Sequence, residues 1–267
     1  MNNMLEIKNI SKSFNKGTIN ENKVLNDLTL VLKEGDFVTV IGGNGAGKST
    51  MLNSVAGVFE IDSGQIFINQ EDISKKSMIN RADLIARVFQ DPTFGTAPKL
   101  TIEQNISVAL QRGNKRNLTK AVKKQNEKMI KEQLATFDLG LENRLKTEVS
   151  LLSGGQRQAL TLLMATIKKP KLLLLDEHTA ALDPKTTANV LEITDKLVNN
   201  NKITTLMITH DMEDAIKHGN RLIMLHNGRI VVDVCDQEKQ NLTVKDLIEM
   251  FNKNSGINFN QDDILLK

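Results

Sequence analysis

A run of eight residues near the start of the chain has the spacing of a phosphate-binding loop. The segment GGNGAGKS matches G-x-x-x-x-G-K-[ST] without a gap and follows an apolar stretch. Glycines leave room for the backbone to wrap around a phosphate, so successive amides can point at the anion. Lys48 is placed to neutralise β- and γ-phosphates and Ser49 to ligate Mg²⁺. The loop comprises Gly42, Gly43, Asn44, Gly45, Ala46, Gly47, Lys48, Ser49 and Thr50.

Carboxylates that fit phosphate chemistry follow the apolar segment KLLLLDE. At the end of a buried strand, Asp176 can hold Mg²⁺, and Glu177 can act as a general base on water. An acidic helix start is the alternative interpretation. His210 and Gln90 also follow predicted strands and can reach the γ-phosphate, the water or the metal, although either residue alone indicates little.

A second glycine pair lies about a hundred residues further on, in SLLSGGQRQALTLLMAT. Ser153, Gly154, Gly155 and Gln156 begin a predicted helix whose amides and serine hydroxyl form an anion site with no local ligand. One fold would have trouble aiming both glycine segments at one phosphate. Two copies packed head to tail can do so, which predicts two ATP molecules sandwiched in a two-fold interface.

The hydrophobic pattern predicts the elements that must position these residues. An antiparallel hairpin is expected around Asn227-Gly228, and a parallel crossover around the helix at 186–199. A mostly helical insert is expected at about 91–155, and a short C-terminal hairpin and helix at 221–253. Strands are predicted at 5–10, 25–32, 37–41, 65–68, 87–89, 172–175, 204–209, 221–225 and 229–234.

Composition narrows the classes of protein that fit. The chain has 267 residues, a formal net charge of +3 and one cysteine, Cys235. The charge is too small to argue for nucleic acid or anionic lipid, and a single cysteine excludes an intrachain disulfide. Because no apolar run approaches the ~20 residues of a membrane-spanning helix, we expect a soluble or peripheral protein.

Over residues 4–235 the sequence resembles the ATP-binding subunits of ABC transporters. The family signature LSGGQ stands at Leu152–Gln156. The other motifs follow in the family order: Walker A at Gly42–Ser49, Q-loop Gln90, Walker B at Leu172–Asp176, catalytic Glu177, D-loop Ala180–Asp183 and switch His210. The resemblance implies that Phe14 stacks on adenine and that Asp183 acts across a dimer interface.

The same resemblance implies an α/β fold, a P-loop NTPase ABC cassette with a parallel core sheet. It also implies an antiparallel N-terminal β-subdomain, the inserted helical subdomain, and a single nucleotide-binding domain over 1–267. Two positions depart from the family pattern. His178 replaces the usual proline and can add a titratable group near the catalytic carboxylate. Ala180 replaces a common serine and removes one possible hydrogen bond across the dimer.

The resemblance also implies partners. They are a second copy of the chain, an integral-membrane permease that docks on residues 90–106, and an extracellular substrate-binding protein, with no nucleic acid. The segments QDPTFGTAP and DEHTAALDPKT are similar to a bacterial group related to branched-chain amino-acid ATPases, whose proposed cargo is tryptophan or other aromatic amino acids. The expected location is the cytoplasmic face of the membrane. The alternatives are an exporter or lipoprotein-release ATPase, a soluble assembly ATPase, or an ATPase acting on ribosomes or nucleic acid.

Overall fold

The N-terminal strands form an antiparallel sheet in the computed structural model, which describes residues 2–114 and 122–256. Leu5, Ile7 and Ile10 of the first strand are buried in the core, and the alternation is interrupted at Asn9, which has φ 48°. Its strands are β1 (Asn3–Phe14), β2 (Asn22–Lys33), β4 (Ser63–Ile68) and β5 (Glu71–Asp72), and they lie in the order β2-β1-β4-β5. Strand β3 (Phe37–Ile41) belongs to a second sheet.

The second sheet contains the fully apolar strands. Every residue of β3 is buried, as expected of a parallel strand covered on both faces. The other strands are β6 (Ile85–Val88), β7 (Leu172–Asp176), β8 (Thr204–Ile208), β9 (Arg221–His226) and β10 (Arg229–Cys235). Their order is β10-β9-β3-β8-β7-β6, and all neighbouring pairs are parallel except β9 and β10.

The predicted C-terminal hairpin is present, but it is not a separate element. Its first strand, β9, pairs in parallel with β3 and so extends the core sheet. The turn between the two strands has Asn227 and Gly228 at positive φ, 48° and 72°, which matches the predicted asparagine–glycine turn. Hydrophobic pattern alone identifies a hairpin, but it does not show which strand lies beside it.

Helices cover the sheets and connect the strands. The structure describes α1 (Lys48–Ala56), α2 (Met78–Arg81), α3 (Ile102–Ala109), α4 (Lys124–Ala135), α5 (Gly154–Thr166), α6 (Pro184–Asn201), α7 (Met212–Lys217), α8 (Asp236–Gln240) and α9 (Val244–Ser255). Between Gln90 and α5, the described chain contains α3, α4 and short 3₁₀ turns. Parts of the predicted 1–267 domain, residue 1, 115–121 and 257–267, lie outside the described residues.

The strand register brings four loops to one edge of the core sheet. Ile208 of β8 is the register partner of both Val40 in β3 and Asp176 in β7. Val88 at the end of β6 aligns with Leu175. Because the carboxyl ends of adjacent parallel strands share an edge, the segments that follow β3, β6, β7 and β8 are neighbours, and ligands bind at such edges.

Candidate nucleotide-binding site

The glycine-rich loop joins β3 to α1, as predicted. Gly47 is the N-cap of α1 with φ 102°, and a Cβ there would lie 2.9 Å from the backbone oxygen of Val24. A side chain at this position would therefore be strained in its backbone and would collide with β2. Glycine lets the loop turn sharply into the helix, whose first amides then point at the loop.

Lys48 is folded onto the loop that precedes it. Its Nζ donates to the backbone oxygens of Gly42 at 2.5 Å and Gly43 at 3.1 Å. Burial lowers the pKa of Lys48, while the charges of Glu177 and Asp176 act in the opposite direction. The charges of both carboxylates therefore act on the ammonium group. This agrees with the strand register, which brings the loop and the acidic pair to one edge of the sheet.

The two acidic residues stand at the end of β7. Asp176 is its last residue, and Glu177 follows with φ 46°. Glutamate rarely adopts this left-handed conformation, and such strain persists only where the surroundings fix it. The amide of Glu177 donates to the oxygen of Ile208 at 3.0 Å, which ties this backbone to β8.

His210 and Gln90 reach the same edge from neighbouring strands. Strand β8 ends at Ile208 rather than at the predicted Thr209, so exposed His210 lies two residues beyond it. The amide of Thr209 donates to the oxygen of Val40 at 3.1 Å, which holds this segment beside the phosphate loop. Gln90 is likewise exposed, two residues after the end of β6.

The donor set at this edge fits Mg²⁺. Hydroxyl, carboxylate and amide oxygens of Ser49, Asp176 and Gln90 are hard ligands, which suit this ion. Across residues 2–114 and 122–256, no group of three or more His, Cys, Asp or Glu side chains is arranged to hold a metal.

Phe14 is the last residue of β1 and is partly exposed. Its ring meets that of Phe59 edge to face, with the centroids 5.4 Å apart. The Nζ of Lys12 lies 5.6 Å from each ring centroid. The exposed part of Phe14 is a surface on which a base can stack. Phe59 was not predicted to contribute.

The second glycine segment starts α5 as predicted, and two of its polar groups are hydrogen-bonded within the segment itself. Ser153 Oγ accepts from the amide of Gln156 at 3.3 Å, and the Gln156 side chain accepts from the amide of Ser153 at 3.2 Å. This is a capping box. Gln156 also donates to the oxygen of Leu139. A Cβ on Gly155 would lie 2.3 Å from Thr186 Cγ2, so close packing on α6 requires glycine there.

Two further predicted residues have local roles. Asp183 is the N-cap of α6 and accepts from the amide of Thr186 at 3.1 Å. Hydrogen bonds from Thr186 lower the pKa of Asp183. Exposed Ala180 lies in the turn between Glu177 and α6.

His178 does not supply a group that titrates near neutral pH, contrary to the expectation from its position. The residue is 2% exposed, and its Nε2 lies 3.1 Å from Thr194 Oγ1 on α6. Burial, with a smaller contribution from the charge of His218, lowers the pKa of His178 to about 4. The side chain is therefore neutral at pH 7 and packs behind the site.

Sequence reasoning missed Arg87. Its NH2 contacts Asp176 Oδ2 at 2.6 Å, and its NH1 donates to Asn53 Oδ1 of α1 at 2.6 Å. An arginine within an otherwise apolar strand is the signal that could have found it, because a buried charge requires a partner.

Comparison with known proteins agrees with this architecture. A family model described as "ABC transporter" matches residues 25–180. A tyrosine transport ATP-binding protein of Clostridioides difficile is 46% identical, over 93% of this chain and 98% of the relative. An ABC transporter ATP-binding protein of Bacillus subtilis, YxdL, is 32% identical over 96% of both chains.

A solved structure gives the same result. A dimeric ATP-binding cassette in a post-hydrolysis state with ADP and phosphate has a TM-score of 0.73 and 28% identity. The match covers 87% of this chain and 98% of that one. None of the helices within the described ranges has the length and apolar character needed to cross a membrane.

Proposed function

Because the chain belongs to the ABC transporter family, as an ATP-binding and ATP-hydrolysing subunit that uses Mg²⁺, we propose that it powers import of an aromatic amino acid through a membrane permease. Two observations support the proposal. The phosphate loop and the Asp176–Glu177 pair meet at one sheet edge. A relative 46% identical over nearly its whole length is described as a tyrosine transport protein.

Each residue at the site has its own role in the proposed mechanism of ATP hydrolysis. Lys48 neutralises negative charge on the β- and γ-phosphates, while amides of the loop donate to phosphate oxygens. Glu177 accepts a proton from the attacking water, and His210 orients the γ-phosphate or that water. Ser49, Asp176 and Gln90 would hold Mg²⁺, which would supply charge neutralisation on the phosphates when bound. Phe14 stacks on the adenine ring.

The signature segment completes the site of a second copy. Within one chain, the loop packs against Val24 and Leu225, whereas Gly155 and Gln156 pack against Thr186 and Leu139. The two glycine segments therefore have different neighbours in one chain. In the proposed homodimer, Ser153–Gln156 of one copy covers the nucleotide in the other copy, and Asp183 lies at the interface.

We further propose that the permease docks beside the Q-loop. Phe94 and Leu151 are 78% and 69% exposed and offer apolar surface to a partner. Their segments are joined by a hydrogen bond from the amide of Ser150 to the oxygen of Pro98, 2.9 Å long. Docking here would place the chain at the cytoplasmic face of the membrane. We propose that the chain acts there as one domain over 1–267. The complex would also contain an extracellular binding protein.

An affinity purification tests this proposal. Tagged Glu177→Gln protein would be incubated with ATP and mildly solubilised membranes of its own host, and the captured proteins identified by mass spectrometry. We expect a polytopic permease, together with an anchored binding protein that binds tyrosine or tryptophan. The variant Phe94→Asp, which leaves the nucleotide site intact, is the control and should lose the permease. Capture of soluble partners or ribosomes alone would contradict the transport proposal.

A further inference from the structure

The guanidinium group of Arg87 connects three segments of the nucleotide site. Besides its contacts of 2.6 Å with Asp176 on β7 and with Asn53 on α1, its Cζ lies 4.7 Å from the centroid of the Phe89 ring. Phe89 directly precedes Gln90. The arginine therefore touches the strand that ends in a candidate metal ligand, the helix that follows the phosphate loop, and the entry to the Q-loop.

This arginine is placed to act on Asp176 strongly. The side chains of Arg87 and Asp176 are 15% and 16% exposed, so water screens their interaction weakly. Arg87 Nε is buried without a hydrogen-bond partner. A buried N–H without a hydrogen-bond partner lowers the stability of the folded chain, so stability alone does not explain an arginine at this position.

The charges around the site show what the contact does. Lys48 and Arg87 are cations beside two carboxylates, Asp176 and Glu177. Arg87 contacts Asp176 through Oδ2, and the second carboxylate oxygen, Oδ1, can serve another ligand. A carboxylate whose charge is already shared with arginine attracts a divalent cation less strongly than a free one.

We propose that Arg87 is a positioning residue that shares Asp176 with the magnesium ion and thereby weakens metal binding. The inference rests on the proposed role of Asp176 as a metal ligand. Arg87 holds Oδ2 of the carboxylate, and its charge opposes that of the incoming ion. A site that holds its metal less tightly also releases the metal–ADP product more readily, which favours repeated turnover.

A measurement of metal affinity, which does not depend on ATP hydrolysis, tests the inference. Mn²⁺ would be titrated into the ADP-loaded protein, and the free ion followed by electron paramagnetic resonance. Arg87→Gln removes the charge but keeps an N–H for Asp176. We expect it to bind Mn²⁺ roughly threefold to tenfold more tightly than the parent. Arg87→Met should act in the same direction, and Arg87→Lys, which keeps the charge, should remain near the parent.

Two further variants separate the possible causes. Arg112→Met removes a partly buried arginine that donates to the backbone oxygen of Ala165 rather than to Asp176, and it should leave Mn²⁺ affinity unchanged. Asp176→Asn should weaken Mn²⁺ binding if Asp176 holds the metal. Removal of a merely structural arginine would weaken Mn²⁺ binding and metal-free ADP binding together.

The outcomes are distinct. If Asp176→Asn weakens Mn²⁺ binding but Arg87→Gln leaves it unchanged or weaker, the inference about Arg87 is overturned while the proposed metal site stands. If neither variant changes Mn²⁺ affinity, both the metal role of Asp176 and the inference fail. Tighter binding in Arg87→Gln and Arg87→Met, with no change in Arg112→Met, supports the inference.

Discussion

The loop at Gly42–Thr50 and the glycine pair Gly154–Gly155 both stand at the start of a helix, but their surroundings differ. The loop lies at the sheet edge where β7 ends in Asp176, which is followed by Glu177. The glycine pair follows a serine that caps its own helix, and it packs on α6. Both segments present helix amides, but it is the first whose lysine, Lys48, is influenced by the charges of two carboxylates, Asp176 and Glu177. The difference assigns the chemistry to the first region, and under our proposal the second covers a nucleotide held by another copy.

The largest effect should come from the region built for chemistry. Glu177→Gln should lower ATP hydrolysis by ~10²–10⁴-fold, because it removes the general base. ATP binding should persist, since the phosphate loop is untouched, and the ATP-bound dimer should accumulate. Steady-state ATPase assays and light scattering with ATP measure both effects. Normal turnover would show that Glu177 is not the base and would remove the contrast between the two regions.

A mixing experiment tests whether the two regions act in different copies. Lys48→Ala should disable the loop, and Ser153→Arg should block the covering segment, so that each homodimer is inactive. In a mixture, a heterodimer combines the intact loop of one variant with the intact signature of the other. Random pairing then predicts recovery of up to about a quarter of the parent ATPase activity. Absence of recovery despite heterodimer formation would mean that both segments act within one chain.

The smallest effect concerns the packing behind the acidic pair. Because the pKa of His178 is about 4 in the folded chain, against about 6.5 when unfolded, the unfolded state binds more protons between these values. Stability should therefore fall as the pH falls through this window. The loss attributable to His178 is about 1 kcal/mol between about pH 7 and about pH 5.5.

Chemical denaturation at the two pH values, with His178→Gln as the matched variant, checks this. Glutamine can keep a hydrogen bond to Thr194 but does not titrate, so its stability should depend less on pH. Equal pH dependence in parent and variant would place the titration on other groups. The expected result would show that burial of His178, next to Glu177, makes the stability of this region depend on pH.

How far the sequence predicted the site depends on how local each feature is. The phosphate loop lies between β3 and α1, and Asp176 ends β7, where the apolar runs and glycines indicated. His178 and Ser153 were placed correctly on their elements, but the partners of their side chains were not foreseen. Thr194 contacts His178 from α6, and Gln156 caps the helix from within it.

The sequence by itself determined the phosphate loop, the apolar strand before Asp176 and the hairpin turn. Each depends on contiguous residues whose backbone freedom or periodicity is local. Only the tertiary structure decided that β9 lies beside β3 and that Arg87 pairs with Asp176, 89 positions along the chain. Such contacts depend on strand order and register, because two side chains meet across a sheet only after their strands have been placed. Periodicity shows which face of a strand is buried, but it does not show what the strand will lie beside.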